Sequence, residues 1–158
     1  SVDAAVITPP FTLTARKLGF HSLLNMVDLN LPTSQSAVLT TDSLIRRKPE
    51  LTSKVVKSFV DAIHFYRTQK KDSIKILKNF LRYTSDEEVE EAYNEAGLKL
   101  VPVKPYPSLE GLESILQTVE EKNPKAKGRN PEEFVNVSIL EKLDNSGYID
   151  RLYSKDSR

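Results

Sequence analysis

Between Pro49 and Arg67 the chain carries the pattern that most restricts its fold. Leu51, Val55, Val56, Phe59, Val60 and Ile63 recur at the spacing of one continuous helical face, and Lys54, Lys57, Asp61 and Arg67 take the other side. Pro49 suits the first helical position, where its missing amide costs nothing. The charged run Gln69-Lys70-Lys71-Asp72 interrupts the stripe, which resumes at Ile74, Leu77, Phe80 and Leu81 as a second helix. Upstream, Ala37-Val38-Leu39-Thr40-Thr41 has the branched character of a strand, and a short helical turn is expected through Ser43–Lys48. A strand feeding a helix with one apolar face is a piece of a layered domain, so the expected class is α/β.

With 158 residues the chain can bury one core, as one domain or one and a fragment. Its net charge of +1 lacks the basic excess of a nucleic-acid-binding face, so no nucleic acid is expected as partner. No apolar run approaches bilayer-spanning length. Cysteine is absent, which removes disulfides, thiolate metal sites and a cysteine nucleophile. The chain opens at Ser1, with no Met and no charged-then-apolar leader, and reads as a piece of a longer protein.

In chain order, Val2–Thr8 is expected to be a buried strand that stops at Thr8-Pro9-Pro10, since two prolines remove two amide donors. Phe11–Leu18 reads as a short helix with Phe11, Leu13 or Thr14, Ala15 and Leu18 inward and Gly19 just beyond its end. Phe20–Met26 reads as a second short strand, and Asp28–Ser36 as a crossover. Ser85-Asp86-Glu87-Glu88 is a capping box opening a helix with Val89, Ala92, Tyr93 and Ala96 inward. Pro102, Pro105 and Pro107 make the next segment extended and stiff. Ser108 caps a helix with Leu109, Leu112, Ile115, Leu116 and Val119 on one face. Lys125–Arg129 reads as a solvated basic loop. Asn130-Pro131-Glu132-Glu133 is a compact helix start. Ser138–Glu141 reads as another capping box, with its helix ending near Asn145-Ser146-Gly147.

Little in the sequence looks catalytic. The two histidines, His21 and His64, have no partner at metal-ligand spacing, and His64 reads as a packed or boundary residue. No Gly-rich phosphate loop and no Gly-x-Ser-x-Gly elbow occurs. Catalytic residues, metal ligands and cofactors are therefore expected to be none. Asp86–Glu91 reads as capping and solubility. Thr8-Pro9-Pro10 has the more suggestive position. In open α/β sheets ligands bind beyond the carboxyl ends of strands, and the following helix start would offer free amides to an anion; a plain rigid turn is the other reading.

These motifs together resemble a known family. Val2-Asp3-Ala4-Ala5 with Thr8-Pro9-Pro10 and Ala15-x-x-Leu18-Gly19-Phe20 is similar to the later half of the substrate-binding proteins of ABC transporters, in the nitrate/sulfonate/taurine branch with the type 2 periplasmic-binding fold. So are Leu39-Thr40-Thr41 with Ile45-Arg46 and Lys48-Pro49-Glu50-Leu51, and the run Phe59-Val60-x-Ala62-Ile63-His64-Phe65. Pro105-Tyr106-Pro107 with Leu109-Glu110-Gly111, and the ending Asp144-x-Ser146-Gly147-Tyr148-Ile149-Asp150, complete the series. The resemblance covers nearly the whole chain; each motif is weak alone, and their order and spacing carry the likeness.

The resemblance implies a helix-rich C-terminal portion of a two-lobed binding protein. Residues 1–33 would close the second lobe and cross over, and residues 34–158 would belong to the first lobe with its flanking helices. It implies a receptor that closes on a small anion or heterocycle and delivers it to an ABC permease in the membrane, from a periplasmic or lipid-anchored extracellular position. Thr8, Pro9 and Pro10 would line one cleft wall, with Gln35 and Ser36 at the crossover near hinge and ligand. A full member has an N-terminal half without counterpart here, so an incomplete sheet, exposed sheet edges, an apolar patch and a homodimer by exchange are expected. Two alternatives stand beside this reading. One is an enzyme resembling the pyrimidine-precursor synthases of thiamin biosynthesis, which share the fold but carry a cysteine-rich motif. The other, independent of any resemblance, is a helical interaction module docking a partner helix on the Glu50–Arg67 stripe.

Overall fold

The computed structural model describes residues 2–9, 11–29, 31–32, 34, 36–82 and 85–155, with the side chains of Ala96 and Lys155 left aside. The architecture is helical. Eight α-helices follow one another among these residues: α1 (Phe11–Lys17), α2 (Asp42–Arg47), α3 (Pro49–Thr68), α4 (Lys70–Leu81), α5 (Asp86–Glu91), α6 (Leu109–Glu120), α7 (Ser138–Asn145) and α8 (Tyr148–Lys155). A π-helical segment, Ala92–Leu98, continues α5, and 3₁₀ turns occur at Met26–Leu29, Pro124–Ala126 and Pro131–Phe134.

This corrects the α/β expectation: among the described residues there is no strand and hence no sheet. The segments read as strands, Val2–Thr8, Phe20–Met26 and Ala37–Thr41, contain no regular extended pairing. The reason is where backbone hydrogen bonds can go. A helix satisfies its amides and carbonyls within one segment, whereas a strand needs a neighbour, and an isolated pair is marginal even when formed. Branched composition alone supplies no neighbour, and Val6 and Leu39 stand 89% and 90% exposed.

The chain separates into two compact units of interleaved sequence, one from residues 1–29 and 62–103, the other from 30–61 and 104–158. In the first unit the centre is a pair of tyrosines. Their rings lie 4.7 Å apart between centroids, tilted by 31°. The Tyr66 hydroxyl donates to the Tyr93 carbonyl at 3.0 Å, and the Tyr93 hydroxyl donates to the Tyr66 carbonyl at 2.7 Å. Val89 and Tyr93, two of the residues expected on the inner face, are fully buried. Arg67 donates from one guanidinium nitrogen to the carbonyl of Leu98 (3.2 Å), an acceptor that the end of the π segment leaves open, and to that of Val101 (2.8 Å) just beyond it.

α5 starts where its sequence predicts, with the Ser85 half of the expected capping box formed. The Ser85 hydroxyl accepts from the Glu88 amide, and Asp86, Glu87 and Glu88 fill the first turn, where the helix dipole favours negative charge. α1 departs from the expectation at its two ends, while Leu13 and Ala15 are half-buried. Phe11 and Leu18 are 65% and 71% exposed, and α1 is tied to α5 by polar groups instead. Thr12 and Arg16 both donate to Glu91 Oε1, at 3.0 and 2.5 Å, and Lys17 pairs with Glu87. Beyond α1, Phe20 donates to the Ala15 carbonyl and Gly19 to that of Arg16, a Schellman turn that requires the left-handed conformation Gly19 adopts at φ +86°.

The second unit buries Val60, Ala126, Leu140 and Ile149. Thr41 caps α2 through its hydroxyl, which accepts from Leu44 at 3.2 Å. Asn130 forms a full capping box with Glu133. Ser138 does not cap α7: it is the first helical residue, and Asn136 Oδ1 accepts both its amide (3.2 Å) and its hydroxyl (2.7 Å). Gly147, at φ +71°, turns α7 into α8. The apolar stripe of α3 is only partly used, with Val60 at 2% exposure and Leu51, Val55 and Phe59 at 47%, 37% and 50%.

The tyrosine pair yields a pH prediction. Burial, aided by the nearby Tyr93, pushes the Tyr66 phenol up to about 12 from its ordinary 10.0. A folded pKa above the unfolded one means stability that is fully present below about pH 10 and is lost as pH rises toward 12. Denaturant unfolding at stepped pH is expected to show this alkaline decline, and Tyr66→Phe is expected to make it shallower without abolishing it, since Lys57, Lys99 and Lys104 are raised as well. An unchanged slope in Tyr66→Phe would refute the assignment.

Candidate functional site

Of the residues expected to contact ligand, Thr8 and Pro9 belong to the first unit and Ser36 to the second, while Pro10 and Gln35 lie outside the described residues. Thr8 is exposed and its carbonyl accepts from the Phe11 amide at 3.0 Å, which forms the turn into α1. Pro9 is half-buried and Ser36 exposed. With no sheet among the described residues, the expected position beyond a strand's carboxyl end does not arise.

The second unit assembles a different constellation. Lys104 and Tyr106 leave the stiff proline segment and meet the ends of α7 and α8. Lys104 Nζ lies 2.7 Å from Asp144 Oδ1 and 3.1 Å from Asp150 Oδ1, and the Tyr106 hydroxyl donates to Asp144 Oδ2 at 3.0 Å. The hydrogen bond from Lys104 holds the Asp144 carboxyl below the usual carboxylate range. Reciprocally, the bonds to Asp144 and then Asp150 raise Lys104. Tyr106 is raised by desolvation first and by its bond to Asp144 second. Every charge here has a partner, so the cluster holds its segments together rather than activating a nucleophile. A second knot joins α3 to α8: Lys57 Nζ donates to Asp61 (2.7 Å) and to the Tyr148 hydroxyl (2.5 Å), which itself donates to Asp61 (2.5 Å).

Two grooves open on this unit. One, of about 400 Å³, is lined by Tyr106, Pro107, Leu109, Glu132, Val135 and Val137 and is mainly apolar. The other, of about 420 Å³, lies at the start of α3 between Arg47, Lys48, Pro49, Glu50, Leu51 and Lys54. Three cations against one carboxylate, at the positive end of a 20-residue helix, give this groove a field that favours anions. Neither groove was anticipated from sequence. The signal for the second was the density of Arg46, Arg47 and Lys48 just ahead of a proline-started helix. Among the described residues no three His, Asp or Glu side chains are placed to hold a metal ion, and no helix is long and apolar enough to cross a membrane.

No family model, curated protein or solved structure matches this chain.

Proposed function

We propose that the chain is part of the solute receptor of an ABC importer, which captures a small molecule and hands it to a membrane permease, and that it binds rather than catalyses. The observation that carries this reading is the ordered motif series along nearly the whole sequence. It is supported by the way two of those motifs, Pro105-Tyr106-Pro107 and Asp144–Asp150, lock together through Lys104, Tyr106 and the two carboxylates. The proposal concerns the binding role and not the two-lobed α/β architecture, which the helical fold replaces. A small organic or inorganic anion is the favoured ligand class, because the groove at Arg47, Lys48 and Lys54 has the matching charge.

The test is a thermal-shift and calorimetric panel of nitrate, short alkyl sulfonates, phosphate and neutral heterocycles. A true ligand at a hundredfold excess over its Kd is expected to stabilise the protein by about 2.7 kcal/mol. Lys48→Met with Lys54→Met is expected to weaken anions at least tenfold and leave neutral heterocycles unchanged. A folded protein that responds to nothing in the panel at millimolar concentration would overturn the reading.

One observation favours a helical interaction module instead: the row Leu51, Val55 and Phe59 on α3 is exposed. On that reading light scattering shows association, with a second copy or an added amphipathic helix, that Phe59→Lys abolishes while the ligand panel stays silent.

A further inference from the structure

We draw no further inference here: the strongest candidate, the apolar groove of the second unit lined by Tyr106, Pro107, Leu109, Glu132, Val135 and Val137, carries nothing because nothing in the structure shows what covers it.

Discussion

Replacing Gly97 with alanine is expected to lower the stability of the first unit by about 2 kcal/mol net, against the direction that helix propensity dictates. Alanine in a helical segment is favoured over glycine by about 1 kcal/mol. Here, though, a Cβ at position 97 would stand 1.7 Å from the Tyr66 hydroxyl oxygen and 2.2 and 2.4 Å from two of its ring carbons. The ring cannot step aside cheaply, because it is stacked on Tyr93 and held by the reciprocal hydroxyl–carbonyl bonds. Overpacking of this kind costs about 3 kcal/mol at the upper end of its usual range, so the steric term wins. Urea unfolding of Gly97→Ala reads the loss directly. Pairing it with Tyr66→Ala should give a strong coupling, since the second change removes the obstacle. A Gly97→Ala protein more stable than the parent would show that Tyr66 does not occupy this place.

In the second unit the largest loss is expected from Ile149→Ala. Ile149 is the second residue of α8 and is fully buried. Truncating it forfeits transfer free energy and leaves a cavity, together about 3 kcal/mol, while Ile149→Val should cost about 1 kcal/mol. The graded pair separates packing from helix propensity, because alanine is the better helix former and valine no better than isoleucine. Hydrogen exchange across α7 and α8 should accelerate in Ile149→Ala. If the two variants lose equal stability, the site is not the close-packed one described.

Much of the helical pattern was legible in sequence because its signals are local. Pro49 starts α3, Gln69 divides it from α4, and Ser85, Ser108 and Asn130 each place an acceptor over a first-turn amide. The burial of Val89 and Tyr93 follows from spacing alone. The strands were not legible, because Val2–Thr8 and Ala37–Thr41 show only a preference for extended backbone, and whether a strand forms depends on what lies beside it. The exposed ends of α1 differ from the expectation for a related reason. Apolar spacing put Phe11 and Leu18 inside, but Thr12 and Arg16 reach Glu91, some 75 positions away, and that pairing decides which face turns in. The α3 stripe was real as a pattern and only half used as a core. Among the site residues, Thr8 and Pro9 were chosen from a sheet geometry that the described residues do not form, and Ser36 was taken from the family resemblance alone. The Lys104–Asp144–Asp150 cluster was visible only as two motifs, since no spacing rule links residues 40 apart.

That cluster has a bearing on how the chain could be loosened. A protein without cysteine cannot close a long loop covalently, yet Lys104 with Asp144 and Asp150 closes the stretch that contains α6 and most of α7. The fastening is ionic, and its Asp150 arm is open to solvent, so the ionic strength of the medium acts on that arm: the reach of an exposed charge shrinks from about 10 Å at 0.1 M salt to about 3 Å at 1 M. Where a disulfide would lock this loop until a reductant arrived, the chain has a latch that brine can ease and dilution can restore.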